Sequence, residues 1–255
     1  MADPVVMSGS SLNTYLRCAR QWEYAYVHRI KRPPRLRMAL GTSAHHAVEQ
    51  DLKHKVKTWE DLPREEVVQT FVDTFKVESA DSEPEPGETK AAALDSGVRS
   101  VGMWYDKVAP DVYPVLVEQH GQFSLKVEDT VIPYDWTADL VDQDRVVRDW
   151  KFVGRKPSGG GQYVLNMVGY AIGYREQTGD IESGVQLDHI VRTQKPYHYP
   201  LASGPVTDDS LRAFGDVLHS VSRSIGAGSF PPNGLQSNAC SWCGFRDICT
   251  AYKER

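Results

Sequence analysis

The sequence predicts an α/β fold of mixed type, with a central mixed sheet flanked by helices. Three observations carry that prediction. Apolar residues at helical spacing occupy the first part of the chain; stretches rich in valine and aromatics occupy the middle; a helix, one further strand and a long helix follow. The order helices, three or four strands, helix, strand, helix is what a sheet with helices packed on it requires. No internal repeat interrupts it.

Leu12, Tyr15, Leu16, Ala19, Trp22 and Tyr26 fall at three- and four-residue steps behind the serines of SGSS, so residues 10–27 read as one helix that carries Cys18. A proline-broken basic segment follows, HRIKRPPRLRMALG (28–41), with Arg29, Lys31, Arg32, Arg35 and Arg37. It reads equally well as a solvated loop or as a phosphate-contacting strip. A second helix starts near Thr42 and runs past Leu52. The acidic, proline-bearing stretch ESADSEPEPGETK (78–90) has no apolar anchor and reads as a mobile loop. Beyond it, VYPVLVEQ, GQFSLKVE, TVIPYDWTADLVD and RVVRDWKF are separated by short polar turns and predict an antiparallel meander. Gly159-Gly160-Gly161 precedes a helix over 162–176. No Gly-Lys-Ser/Thr follows the glycines, which favours a flexible turn over a phosphate loop. A strand over 184–193 and a long helix over 208–226 complete the reading.

With 255 residues, 40% hydrophobic and 25% charged, the chain has material for one large domain or two small ones. The start, MADPVVMSGSSLNTYL, has neither the basic residues nor the apolar run of a signal peptide, and no stretch approaches the roughly 20 apolar residues of a membrane span. The expected location is therefore cytoplasmic, with no membrane partner. Thiols stay reduced there, which favours metal ligation over disulfides for grouped cysteines. The net charge of −5 argues against a protein that coats nucleic acid with a general basic surface. It leaves room for an enzyme that grips nucleic acid locally.

Asp139 lies in DWTADLVD, and RVVRDWKF supplies Asp149, Trp150 and Lys151. Alternate residues of a strand point the same way, so Asp149 and Lys151 share a face while Trp150 turns to the other. Pairing of the two strands through VDQD sets Asp139 beside Asp149. Two carboxylates and an amine at one spot suit phosphodiester hydrolysis: the carboxylates hold magnesium or manganese, and the lysine orients the attacking water or offsets developing charge. An Asp-x-Lys alone is an everyday charge pattern. GTSAHHAVEQDL adds His45 and Glu49, four apart on one helix face, just after a glycine that permits close approach to another element.

Four cysteines remain: Cys240-x2-Cys243-x5-Cys249 near one end and Cys18 near the other. Zinc and iron-sulfur both take such donors. Structural zinc usually shows two Cys-x-x-Cys knuckles, and this chain has one.

These residues resemble the PD-(D/E)XK nucleases, and among them the RecB-like exonucleases that carry an iron-sulfur cluster, including nucleases of the AddB type and CRISPR-associated exonucleases. SGSSLNTYLRCARQWEYAYV is similar to the family's serine, Cys-Pro and aromatic-rich start, with Ala19 where proline is usual. LGTSAHHAVE resembles Gly-x-x-x-His-x-x-x-Glu, TADLVD and VVRDWKF resemble the Asp and Asp-x-Lys motifs, and FPPNGLQSNACSWCGFRDIC resembles the closing cysteine segment. The family's proline before Asp139 is missing. The helical Gln-x-x-x-Tyr motif is matched by NMVGY, with Asn166 for glutamine and Tyr170 kept; Gln162, one turn earlier, is placed to take over the amide's role.

The resemblance implies a restriction-endonuclease-like core. It implies His45, Asp139, Asp149 and the Trp150 carbonyl as ligands of magnesium or manganese, Lys151 as the catalytic lysine, and Glu49, Tyr170 and Gln162 around them. It further implies a 4Fe-4S cluster on Cys18, Cys240, Cys243 and Cys249, and DNA cleavage from single-stranded ends with 5′ to 3′ polarity. The chain then divides as a single nuclease domain over 1–255: a helical part over 1–110 with Cys18 and the His45 motif, the nuclease core over 111–230, and a cysteine segment over 231–255. No nucleotide-binding loop is present, so unwinding falls to a partner helicase or recombination protein. Two rival classes are a catalytically idle DNA-binding subunit, which leaves intact Asp139, Asp149 and Lys151 without use, and an electron-transfer iron-sulfur protein, which leaves the carboxylate-lysine set unexplained.

Overall fold

The computed structural model describes residues 5–159, 161–236 and 239–253, without the side chains of Gln162 and Lys253. Gly160 of the expected triple-glycine turn and the Gln162 amide therefore lie outside the described residues.

A short strand, β1 (Met7–Ser8), leads into α1 (Gly9–Arg17), whose first turn is capped by the Ser8 hydroxyl accepting from Ser11 N–H at 3.3 Å. The single helix expected over 10–27 is broken. Cys18 is extended, and α2 (Ala19–Trp22) and a π turn (Glu23–Val27) follow it. The cause is a contact that spacing does not reveal: Arg20 N–H is drawn out of the helical ladder to the Pro231 carbonyl at 3.3 Å. Cys18 thus sits at a kink between helices rather than inside one. Leu12, Tyr15, Ala19 and Trp22 are buried as their spacing requires, while Leu16 and Tyr26 face solvent.

Helix α3 (Leu36–Thr58) begins before the expected Thr42. Once Pro34 is passed nothing opposes helix, and Leu36, Ala39 and Leu40 find burial against Phe71 of α4 (Arg64–Glu78) and Val101 of α5 (Lys90–Lys107). The loop between α4 and α5 is tied down, contrary to the mobile segment expected: Glu83 N–H donates to the Pro34 carbonyl at 3.3 Å and Glu85 pairs with Arg35. Gly41 also departs from expectation, since a Cβ built there would meet nothing within 4 Å.

The two stretches VYPVLVEQ and GQFSLKVE fuse into one strand, β2 (Pro114–Val127), antiparallel along its length to β3 (Thr130–Asp142). Strand β3 also pairs in parallel with β1 and, antiparallel, with β4 (Val146–Val153) through Leu140↔Arg148. Helix α6 (Val164–Thr178) carries the chain to β5 (Gly184–Val191), parallel to β4; an edge strand not foreseen in the sequence, β6 (Tyr197–Ser203), lies antiparallel to β5. Helix α7 (Asp208–Gly226) and the short α8 (Thr250–Lys253) follow.

The sheet is covered on both sides. Leu12, Trp22, Tyr134, Met167, Phe214 and Leu218 join α1, α2, α6 and α7 to one face, and Val48, Leu52, Trp104, Leu140, Trp150 and Ile190 join α3 and α5 to the other. Burying each such large side chain contributes about 1.5–3 kcal/mol. Trp150 meets Trp104 edge to face, ring centroids 5.8 Å apart, which fixes the direction of every neighbour on β4. Buried Arg148 locks β4 to β5, its Nε and Nη2 donating to the two carboxylate oxygens of Asp188 at 2.8 and 3.1 Å. Among the described residues no helix is long and apolar enough to cross a membrane.

Candidate active site

Three elements meet where β3 parts from β4. Asp139 and Asp149 flank the last registered pair, Leu140↔Arg148; Asp149 is buried and Asp139 half-buried. Trp150 N–H donates to Asp139 Oδ2 at 2.7 Å, tying the acid of β3 to the strand that carries Asp149 and Lys151. From the other side α3 brings His45, whose Nδ1 lies 3.3 Å from the same Asp139 oxygen. Lys151 Nζ pairs with Asp149 Oδ2. The strand alternation is as the sequence requires: Trp150 enters the α5 side of the core, and Asp149 and Lys151 turn together the other way.

A third acid joins them. Glu118 of β2 has a left-handed backbone, φ 49°, in the middle of a long strand, and one oxygen of Glu118, one of Asp139 and a ring nitrogen of His45 all lie within 4.8 Å of one another. Sequence reasoning missed Glu118. The available signal was the polar break at EQHG between two valine-rich runs, which reads as a turn and is in fact a kink within one strand. Glu49 stands one helical turn beyond His45, engaged by Lys53 and, at 3.6 Å, by His46 Nδ1. Its charge is felt at Glu118.

Electrostatics follow from crowding acids in a buried place. Burial, with Asp139 and Glu49 adding to it, pushes the Glu118 carboxyl up to about 7. Burial likewise pushes Asp149 up to about 6, against the pull of Lys151. Asp139 is the exception: although burial disfavours its charge, His45, Lys151 and the Trp150 N–H together hold it below its ordinary value. Burial lowers His45, but the Asp139 carboxylate outweighs it and leaves the imidazole above its usual range. A cluster of one ionised and two reluctant carboxylates beside an imidazole nitrogen is a donor set that a hard divalent cation suits.

The Gln-x-x-x-Tyr region divides. Tyr170 is buried on α6, and burial, then the charges of Asp149 and Asp139, pushes its phenol well above the usual value. Asn166 is used structurally: its Oδ1 accepts from Asn13 Nδ2 at 2.8 Å and its amide packs on Gly9, where a Cβ would collide with it. It braces α1 on α6. The ring of Tyr163, in the turn Gly161–Tyr163 before α6, lies under Lys151 Nζ, 5.3 Å from the centroid.

The cysteines come together elsewhere. Cys18, Cys240, Cys243 and Cys249, none of them in a disulfide among the described residues, line one small cavity closed by Tyr24, Leu235 and Phe245. The kink at Cys18 aims its sulfur at the C-terminal segment. Gly234 makes room there, since a Cβ at that position would sit 3.3 Å from Cys18 Sγ and 3.4 Å from Cys240 Sγ. Phe245 N–H donates to Cys243 Sγ at 3.5 Å, and burial raises the Cys243 thiol.

The chain matches the model of the PD-(D/E)XK nuclease superfamily over residues 6–250. No curated protein matches the chain. Among solved structures, a protein from Eubacterium rectale described as a candidate exonuclease is similar, with a TM-score of 0.57 at 12% identity over 98% of this chain and 88% of that one. A second, SSO0001, aligns with a TM-score of 0.49 at 12% identity over 99% and 89%. At such identity the first likeness speaks for the fold alone, and it agrees with the restriction-endonuclease-like core expected: a central mixed sheet flanked by helices.

Proposed function

Because the chain belongs to the PD-(D/E)XK nuclease superfamily, we propose that it is a divalent-metal-dependent deoxyribonuclease, an exonuclease working from single-stranded ends with 5′ to 3′ polarity. The observation that carries the reading is the meeting of His45, Glu118 and Asp139 donor atoms beside the Asp149–Lys151 pair. His45, Glu118, Asp139, Asp149 and the Trp150 carbonyl are the groups that would hold magnesium or manganese. When bound, such an ion polarises the phosphate and lowers the pKa of an attacking water.

The chain's own residues do the rest. Asp139, tied down by Trp150 N–H and His45, is the fixed anionic ligand. Lys151, held between Asp149 and the Tyr163 ring, is the cation that would orient the attacking water and offset the charge developing on the phosphate. Glu49 and Tyr170 border this set; the amide role expected of Gln162 falls on a side chain outside the described residues.

The four thiols around one cavity fit a 4Fe-4S cluster: soft donors in the right number, a glycine where two sulfurs approach, and a backbone N–H on sulfur of the kind that stabilises thiolate. The cluster acts as a staple between the two ends of a single nuclease domain. By analogy with a cross-link closing a long loop, it contributes about 4–5 kcal/mol. The place of action is the cytoplasm, on DNA opened by a partner helicase or recombination protein.

The test is digestion of DNA labelled at the 5′ or 3′ end, single-stranded or duplex, with magnesium or manganese. Expected is stepwise loss from the 5′ end of the single strand and no activity in Asp149→Ala. Undiminished activity in that variant refutes the assignment, and binding of DNA without cleavage in manganese replaces it with the idle-subunit reading.

A further inference from the structure

A groove beside the active centre is formed by α1, the turn Gly161–Tyr163 with the start of α6, and the C-terminal turn Ala239–Trp242; its walls carry Asn13, Leu16, Arg17, Tyr163 and Trp242. Hydrolysis uses none of these walls except through Tyr163, whose ring underlies Lys151. The groove therefore reaches the catalytic lysine. Its chemistry is uneven in an informative way. Trp242 keeps 37% of its surface exposed and Leu16 is exposed beside it, a combination that costs solvation unless something covers it.

Two cations attend that indole. The guanidinium carbon of Arg17 lies 5.1 Å from the Trp242 ring centroid and that of Arg37 lies 5.8 Å away. Among the described residues Arg17 pairs with no carboxylate; its Nε donates to Gln21 Oε1 at 3.2 Å. Arg37 has only a share, at 3.5 Å, of the Glu85 carboxylate already paired with Arg35. The Cys243 and Cys18 sulfurs are the opposite charges that face Arg17, and Arg37 is only partly matched, so arginines outnumber paired carboxylates along this wall, in a chain whose net charge is −5.

We infer that this groove is the path of a single nucleic-acid strand into the active centre, with bases packing on Trp242 and Tyr163 and phosphates meeting Arg17 and Arg37. The inference rests on the nuclease reading for where the path ends. Its choice of strand comes from the rings. Ring faces are useful only to a base whose own face is free, and in a duplex those faces are covered by neighbouring bases, leaving edges and phosphates. Aromatic planes flanked by arginines are what an unpaired strand requires.

The experiment measures binding of fluorescein-labelled oligothymidylate by anisotropy in EDTA, so that cleavage plays no part, against a blunt duplex of equal length. Trp242→Ala is expected to weaken strand binding about tenfold, and Trp242→Phe to restore most of it. Iron content and circular dichroism verify that the neighbouring cysteine site is intact. Arg37→Glu, on α3 and outside the cysteine segment, is expected to weaken the strand as well and to flatten the salt dependence by about 0.7 in log–log slope for each phosphate no longer neutralised. Wild-type strand affinity in Trp242→Ala and Arg37→Glu overturns the inference. So does an equal loss on the duplex, or displacement of the strand by polyglutamate of matched charge. If the variants weaken binding while the wild-type protein cleaves nothing, the groove stands and the nuclease reading falls; if cleavage persists and binding is indifferent to both variants, the reverse holds.

Discussion

Asp51→Asn tests the electrostatics of α3, the helix that carries His45. Asp51 is fully buried, and its Oδ1 accepts from Leu62 N–H at 2.8 Å. Burial is the main force on it, opposed by the Leu62 bond and reinforced by Asp61, and the carboxyl is pushed from 3.8 to about 7. The sign follows from proton counting. Between those values the folded chain holds a proton that the unfolded chain has released, so stability is greatest below the unfolded value and falls as pH rises from about 4 to about 7. At 1.36 kcal/mol per pKa unit the whole displacement sets a ceiling of about 4 kcal/mol, and relaxation of the buried site brings the expected penalty at neutral pH to about 2 kcal/mol. Asparagine retains the oxygen that accepts from Leu62 and offers an amide to Asp61, as the protonated acid does. Urea unfolding followed by circular dichroism at about pH 5 and about pH 8 should show the variant about 2 kcal/mol more stable than wild type at the higher pH and near parity at the lower. Identical pH slopes in the two proteins, or a loss of stability in the variant at the higher pH, refute the reasoning.

Glu118→Gln keeps the side chain's size and removes an anion from the donor set, so manganese affinity measured by calorimetry should fall at least about tenfold while the melting temperature holds. Lys151→Ala should lower kcat by about 100- to 1,000-fold with KM little changed, a split read from steady-state digestion. Cys18→Ala should release iron and lower both solubility and melting temperature; retention of full visible absorbance by that variant sinks the cluster assignment. Gly173→Ala should destabilise by about 3 kcal/mol in urea, because its Cβ would fall inside the buried indole of Trp136, which has no room to turn.

What could be read from the sequence was what depends on local period. Helix α7 matched its expected bounds of 208 to 226 because Phe214, Leu218 and Val221 repeat on one face behind a Thr207 cap. The nearness of Asp139, Asp149 and Lys151 was legible because strand alternation and one tight turn suffice to bring them together. Glu118 was not, since it reaches the same place only through a left-handed residue within β2, and no short-range pattern announces that. The break at Cys18 was hidden for a related reason: the group that opens the helix, the Pro231 carbonyl, lies more than 200 residues away. Strand β6 escaped because YHYPLAS contains a proline and has no buried position, as an edge strand tolerates.

The cysteine cavity has a consequence for how the protein is made. Cys18 leaves the ribosome more than 200 residues ahead of Cys249, so α1 and its kink must wait for the whole nuclease core before the cavity has its fourth wall. Until then three elements of the sheet's helical cover, α6, α7 and α1, assemble without the constraint that joins their ends. With the proposed cluster as that constraint, iron supply would set the yield of finished protein at a late step of folding. On that proposal, a chain starved of iron would present an almost complete candidate centre on a loosely closed body.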